Sequence, residues 1–199
     1  MSPVRFVVAS GNRKKLVEIL RVLDGLDVKL VPMTELGLDS PVEDGDTFEA
    51  NALLKARAAA RGSGLPAIAD DSGLEVDALG GAPGVWSARY AGPDATDADN
   101  NAKLIAALAN VAPADRTARF VCAAALATPD GREWVVRATM EGGIIDVPRG
   151  ENGFGYDPHF VSEGATRTNA ELEPAEKDAR SHRGAALRAL REHVAALLT

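Results

Sequence analysis

Cysteine is almost missing from this chain. Its 199 residues include one, Cys122, so no intramolecular disulfide can form. That scarcity fits a reducing compartment, and the expected location is the cytoplasm. Cys122 lies in the apolar run Phe120 to Leu126, where a small buried hydrophobe is the natural reading, rather than a nucleophile. No apolar run approaches the ~18 residues that a membrane helix needs. The opening Met1-Ser2-Pro3-Val4-Arg5 lacks the long apolar core of a signal peptide. No membrane association is therefore expected. Positive charge is also in deficit, with 22 Lys and Arg against 29 Asp and Glu and a net charge of −7. This argues against a nucleic-acid polymer as partner, though a local basic pocket stays compatible with it. There is no internal repeat and no low-complexity linker.

What is present is globular. The chain is 46% hydrophobic and 26% charged. Its length suits a single domain over 1–199, with or without two lobes. The most informative stretch is Ala67-Ile68-Ala69-Asp70-Asp71-Ser72-Gly73. The apolar run Leu65 to Ala69 predicts a buried strand, and Asp70-Asp71-Ser72-Gly73 predicts the turn at its carboxyl end. In open α/β sheets, ligands gather at such ends. Two carboxylates fixed together repel each other unless a cation or proton intervenes. Mg²⁺ suits that position, because it takes hard oxygen ligands and bridges to phosphates. A plain Asp-rich surface turn fits the same residues.

The second informative stretch is near the start. Phe6 to Ala9 predicts a strand. Leu16, Ile19, Leu20 and Leu23 predict a helix. Ser10, Gly11 and Asn12 then stand at a helix N-terminus, where free N–H groups and the helix dipole attract phosphate. Lys14 and Lys15 oppose the dipole within the first turn, a conflict that a bound anion removes. Asn12 as a simple N-cap with solvated lysines is the competing reading.

Further along, Val28 to Val31 predicts a strand and Pro32 to Gly45 a loop with an acidic pair, Glu43-Asp44. Asp46-Thr47-Phe48-Glu49 predicts a helix start, the helix running to about Arg61 and ending at Gly62 and Gly64, with Asn51 and Lys55 on one face. Gly80 to Gly84 predicts a tight loop, followed by Trp86, Arg89 and Tyr90. Ala98 to Leu108 predicts a helix. Arg119–Ala127 and Glu133–Glu141 flank Pro129-Asp130-Gly131, a hairpin signal. Gly150 to Pro158 sets Phe154 and Tyr156 among glycines, which suits either base stacking or core plugs. Glu171 to Asp178 predicts a polar helix. Ser181 then caps a final helix with Leu187, Leu190, Val194 and Leu197 inward, and His182 and Arg183 in its first turn.

Together these stretches resemble the inosine triphosphate pyrophosphatase family. The matching segments are Ser10–Lys15, Glu43–Ala56, Ala69–Gly92, Gly150–Phe160 and Glu176–Leu187, in the family's order. The resemblance implies an elongated α/β fold of two lobes, with a long central mixed sheet flanked by helices and the active site in the cleft between lobes. It implies a Mg²⁺-dependent homodimer acting on deaminated purine nucleoside triphosphates (ITP, dITP, XTP). By motif, it makes Ser10, Gly11, Asn12, Arg13, Lys14 and Lys15 the phosphate turn. Lys55 and Lys177 join the phosphate pocket, and Ser72 is a substrate contact. It makes Asp71 the catalytic base and a metal ligand, with Glu43 and Asp70. It gives Phe154, Gly155, Tyr156, Asp157, His182 and Arg183 to the purine. Two other functions remain on the page: a non-catalytic nucleotide-binding module, and a pyrophosphatase for other modified nucleotides. The paired Asp residues favour an enzyme.

Overall fold

The structure is a computed structural model, and it describes residues 3–198. In chain order the regular elements are β1 (Val4–Val8), α1 (Arg13–Val22), β2 (Val28–Pro32), α2 (Phe48–Ser63), β3 (Ala67–Val76), α3 (Asp97–Ala107), β4 (Thr117–Ala127), β5 (Glu133–Ile144), β6 (Phe160–Ser162), α4 (Pro174–Arg180) and α5 (His182–Ala196). The strands form one six-stranded sheet in the order β2-β1-β3-β4-β5-β6. β1 runs parallel to β2 and β3, whereas β5 and β6 are antiparallel, so the sheet is mixed as expected.

The chain divides into two compact units. Unit 1 holds 1–71, 122–138 and 183–199, and unit 2 holds 72–121 and 139–182. Strands β3, β4 and β5 contribute residues to both.

In unit 1 the pleat sorts the core. Phe6, Val8, Ile68, Cys122, Ala124 and Leu126 share one cluster with Ile19 of α1, its cap residue Leu23, and Leu187, Leu190 and Val194 of α5. The intervening residues Val7, Ala67 and Ala69 point the other way and are also buried. α2 meets β1 and offers the small residues Ala52, Ala56, Ala59 and Ala60 as its buried face. Small side chains let a helix lie close to its neighbours. In unit 2, Leu74, Val76, Leu104, Leu108, Phe120, Tyr156 and Phe160 form a second core. Both aromatics of the Gly-rich stretch were open to a core role, and Tyr156 takes it. It is buried, and its hydroxyl donates to the Ser87 carbonyl at 2.8 Å.

Most predicted elements are present, and the hairpin closes through Gly131 N–H to Thr128 O. Three details differ, while α2 stops at one of the two glycines expected to end it. The cap of α2 is Thr47, one residue after Asp46, because the Thr47 hydroxyl accepts from Ala50 N–H at 3.1 Å. α2 continues to Ser63 and ends on Gly64, whose φ of 68° supplies the left-handed cap. α4 begins at Pro174 rather than Glu171, as proline suits a first helical turn. The largest change concerns Asp70-Asp71-Ser72-Gly73. It is not a turn but the middle of β3, a strand twice as long as its apolar run. Asp and Gly are depleted in strands and enriched in turns, so local propensity misleads here. Charge pairing, described below, overrides it.

The close approach of α2 predicts that Ala56→Leu is destabilising by about 1–3 kcal/mol through overpacking. Urea denaturation measures this, and an unchanged midpoint would contradict the tight helix–sheet packing.

Candidate functional site

The parallel register of β1 and β3 pairs Val7 with Ala67 and Val8 with Ile68. It brings the turn after β1 level with the middle of β3. Asn12 caps α1, its side-chain oxygen accepting from Lys14 N–H at 2.9 Å and Lys15 N–H at 3.2 Å. Ser10 is buried and bonds within the turn, its hydroxyl accepting from Asn12 N–H at 3.3 Å. Gly11, Asn12, Arg13 and Lys14 are exposed. Lys15 turns its ammonium back toward β3, 3.5 Å from Asp70 Oδ2.

Neighbouring residues in a strand face opposite sides. Asp70 lies on the side of α1 and α5, while Asp71 lies on the side of α2. The two carboxylates therefore do not form the single co-facing pair that a turn would have given. Each has its own cations. Asp70 is fully buried. Its Oδ2 accepts from Arg183 Nε at 3.0 Å, and its Oδ1 is buried without a hydrogen-bond partner. Burial alone would raise its pKa. Lys15, Arg183 and Lys55 outweigh burial and hold Asp70 well below the usual carboxylate range. Asp71 Oδ1 accepts from Lys55 Nζ at 3.2 Å, and the same ammonium donates to Glu43 Oε2 at 3.0 Å. For Asp71 burial wins over Lys55 and Lys15, with Glu43 adding repulsion, and its pKa is raised. Burial also works against the Lys55 charge, but Asp71, Asp70 and Glu43 outweigh it, and the Lys55 pKa is raised.

The resemblance gives Arg183 to the purine. Its guanidinium is buried and donates to both Asp70 and Glu18. Burial opposes its charge, and the two carboxylates more than restore it. Glu18 is a site residue that the sequence reading passed over. Its signal was a lone carboxylate among the inward positions of α1. Asn51 was also undervalued. It is buried, and its side chain accepts from Gly45 N–H at 2.8 Å and donates to Gly45 O at 3.2 Å, holding the loop that carries Glu43. Asn51 and Lys55 are the polar interruptions of an alanine face, which is the pattern that marks them. Cys122 is buried as expected, with its Sγ 3.9 Å from Asp70 Oδ2, and burial pushes its pKa up, away from the thiolate that a nucleophile needs.

Unit 2 gathers the remaining expected residues. Ser72 follows Asp71 in β3 and is half-buried. Phe154 and Gly155 are half-buried in the Gly-rich loop. Asp157 is buried. Its Oδ2 accepts from Lys177 Nζ at 2.6 Å and from Phe154 N–H at 2.9 Å, and its Oδ1 from Asn169 Nδ2 at 3.2 Å. The Lys177 ammonium lies 4.8 Å from the centre of the Phe154 ring. Asp157 and Lys177 thus bind each other. His182 stacks on Phe120 with ring centres 4.9 Å apart and planes 8° from parallel.

The model of the Ham1 family matches residues 6–193. A dITP/XTP pyrophosphatase of Frankia alni is 53% identical over 203 residues, covering 98% of this chain and all of that one. The chain belongs to the Ham1 family. Among solved structures, a HAM1 protein from Coxiella burnetii is 46% identical and superposes with a TM-score of 0.88, covering 96% of this chain and 98% of that one. A nucleoside-triphosphatase, or dITP/XTP pyrophosphatase, from Mycobacterium abscessus is 52% identical, with a TM-score of 0.77 over 94% of this chain and 98% of that one. The mixed α/β architecture of this Ham1 chain is thus shared with solved relatives.

Removing the cation from a buried triad strands its carboxylates. Arg183→Met is expected to destabilise this Ham1 protein by about 3–5 kcal/mol. Chemical denaturation measures the loss, and a cost below about 1 kcal/mol, the scale of an exposed pair, would contradict the buried network.

Proposed function

We propose that this protein hydrolyses deaminated purine nucleoside triphosphates, ITP, dITP and XTP, to the monophosphate and pyrophosphate. Its role in the cell would be to keep such nucleotides out of DNA and RNA. The names of its close relatives support the reaction. The observation that carries the chemistry is Asp71, a buried carboxylate with a raised pKa, set against Lys55 and Glu43.

The Ser10–Lys15 turn would receive the triphosphate through backbone N–H groups at the start of α1. Lys15 and Lys55 would oppose its negative charge where that charge grows during reaction. Asp71 would take the proton of the attacking water, and a pKa above the ordinary carboxylate value makes it a better base for that step. Asp70 holds Lys15 and Arg183 in place through its fixed negative charge.

Asp71 and Glu43 also suit Mg²⁺. Their oxygens already share one cation, the Lys55 ammonium, at 3.2 and 3.0 Å. Mg²⁺ is usually held by one or two carboxylates plus substrate phosphates. Among the described residues no three Asp, Glu, His or Cys side chains gather as a metal site. Substrate oxygens would therefore complete the shell. When bound, the ion would supply a Lewis acid that neutralises the phosphates.

Phe154 would stack on the purine. His182 and backbone N–H groups of the loop would donate to the 6-keto oxygen of inosine and xanthosine. Adenine presents a 6-amino donor at that position and would set donor against donor. An unpaired buried group of that kind discriminates by roughly 10⁴-fold. Arg183, held by Asp70 and Glu18, would join His182 at the 6-keto oxygen.

A homodimer in the cytoplasm completes the proposal. Trp86 is 58% exposed and lies under the Arg89 guanidinium at 4.6 Å. Aromatics and Arg are enriched in interfaces. Tyr90, the other candidate, packs against the unit 2 core and is the weaker one. Sedimentation at micromolar concentration is expected to give twice the chain mass, and a monomer would refute the dimer.

Two measurements test the chemistry. Pyrophosphate release should be fast from ITP, dITP and XTP and slow from GTP, ATP and TTP. Asp71→Asn should remain folded by circular dichroism and lose most of that release, because an amide accepts no proton. Near-normal turnover by folded Asp71→Asn would remove Asp71 from the mechanism.

A further inference from the structure

Phe120 belongs to the core of unit 2, yet its ring is also stacked on a polar partner. The His182 imidazole lies against it, with ring centres 4.9 Å apart and planes 8° from parallel. Phe160 packs on the same ring, with centres 4.6 Å apart and planes at 54°. All three residues belong to unit 2 and are buried, with Phe120 7%, His182 4% and Phe160 0% exposed. Phe120 lies in β4, Phe160 opens β6 and His182 opens α5, so three elements distant in sequence bring the rings together. The χ2 torsion of histidine is broad and roughly two-fold, so the backbone alone leaves the direction of the ring nitrogens open. A parallel stack restricts the plane of the imidazole. It covers a face and leaves the edge, where both nitrogens sit, able to hydrogen-bond.

We infer that Phe120 is a positioning residue for purine discrimination, which fixes the plane of the His182 imidazole so that a ring N–H meets the 6-keto oxygen. This rests on the proposed reading of that oxygen by His182. A donor penalises a 6-amino group only while it cannot turn away. An imidazole free to rotate about χ2 would present a carbon edge to adenine and relieve the clash of donors, and it would lose its aim at the keto oxygen as well. Phe160, fully buried in the same core cluster, backs Phe120 and keeps the stack in place. Phe120 acts through His182 and would not touch the nucleotide. The core needs only an apolar side chain at position 120, whereas the parallel stack needs a ring, and this separates the two roles by experiment.

The test is equilibrium binding of IMP, AMP and pyrophosphate to the full chain by calorimetry, with the imidazole protons of His182 followed by NMR. Phe120→Leu keeps the side chain apolar and removes the ring. The His182 ring protons, shielded by the stacked ring, should move downfield. The preference for IMP over AMP should fall on the order of tenfold, the scale of one directed hydrogen bond. The Kd for pyrophosphate should stay the same. Leu104→Ala, in the same core cluster, is the control: it should lower the unfolding midpoint and leave the preference for IMP where it was. Unmoved His182 protons or an unchanged preference in Phe120→Leu would overturn the inference, and so would an equal loss of preference in Leu104→Ala. Should Phe120→Leu fail to fold, Phe120→Met, whose flexible side chain fills irregular gaps, is judged by the same results. An unaltered protein that binds IMP no better than AMP would overturn the proposed purine reading and this inference together. A preference that survives the loss of the ring overturns the inference alone.

Discussion

Asp70 and Asp71 occupy consecutive positions in the middle of a buried strand, so the pleat sends their carboxylates to opposite faces of the sheet. Each face must therefore supply its own cations. α1 and α5 bring Lys15 and Arg183 to Asp70, and Glu18 brings a second carboxylate to Arg183. α2 brings Lys55 to Asp71 and, through Asn51 and its grip on Gly45, the loop with Glu43. The alanine face of α2 follows from the same requirement, since a lysine on that helix reaches the strand only if the helix lies close. Breaking one partner of such a buried set costs several times more than losing an exposed pair.

The two faces are unequal, and the inequality is what the proposed chemistry uses. Asp70 meets enough positive charge to stay ionised below the ordinary carboxylate range. A folded pKa below the unfolded value of about 3.9 adds stability at neutral pH, and that stability disappears as the pH falls through the folded value. Asp71 is the reverse. Its raised pKa means that its charge costs stability at neutral pH, a cost relieved by a proton or by a further cation. A carboxylate left under-neutralised in the free protein is poised to take a proton or to meet a cation brought in with phosphates. One strand residue is held as a fixed charge, and in the proposed chemistry its neighbour is the one that reacts.

Much of the fold was legible in the sequence because periodicity carries it. The stripe Leu16, Ile19, Leu20, Leu23 and the stripe Leu187, Leu190, Val194 mark α1 and α5, and Pro129-Asp130-Gly131 marks the hairpin. The motifs supplied the residues from which the candidate site is drawn. Three things were not legible. Asp-Asp-Ser-Gly has the composition of a turn, and as strand its carboxylates meet cations distant in sequence, from Lys15 to Arg183. Arg183 gives no local sign that its partners are Glu18 and Asp70, which lie far from it in the chain. The pairing of Asp157 with Lys177 is of the same kind, a contact across 20 residues that no spacing rule announces. Local pattern found the elements, and long-range charge pairing decided what several of the charged residues do.

The central claim is that adjacent carboxylates on one strand hold their protons with opposite bias. Carbon-13 NMR of the aspartate carboxyl groups in the metal-free protein, titrated downward from neutral pH, measures it directly. The account predicts that Asp71 takes up its proton first and Asp70 stays ionised well below it. Protonation of Asp70 before Asp71, or of both together, would contradict it.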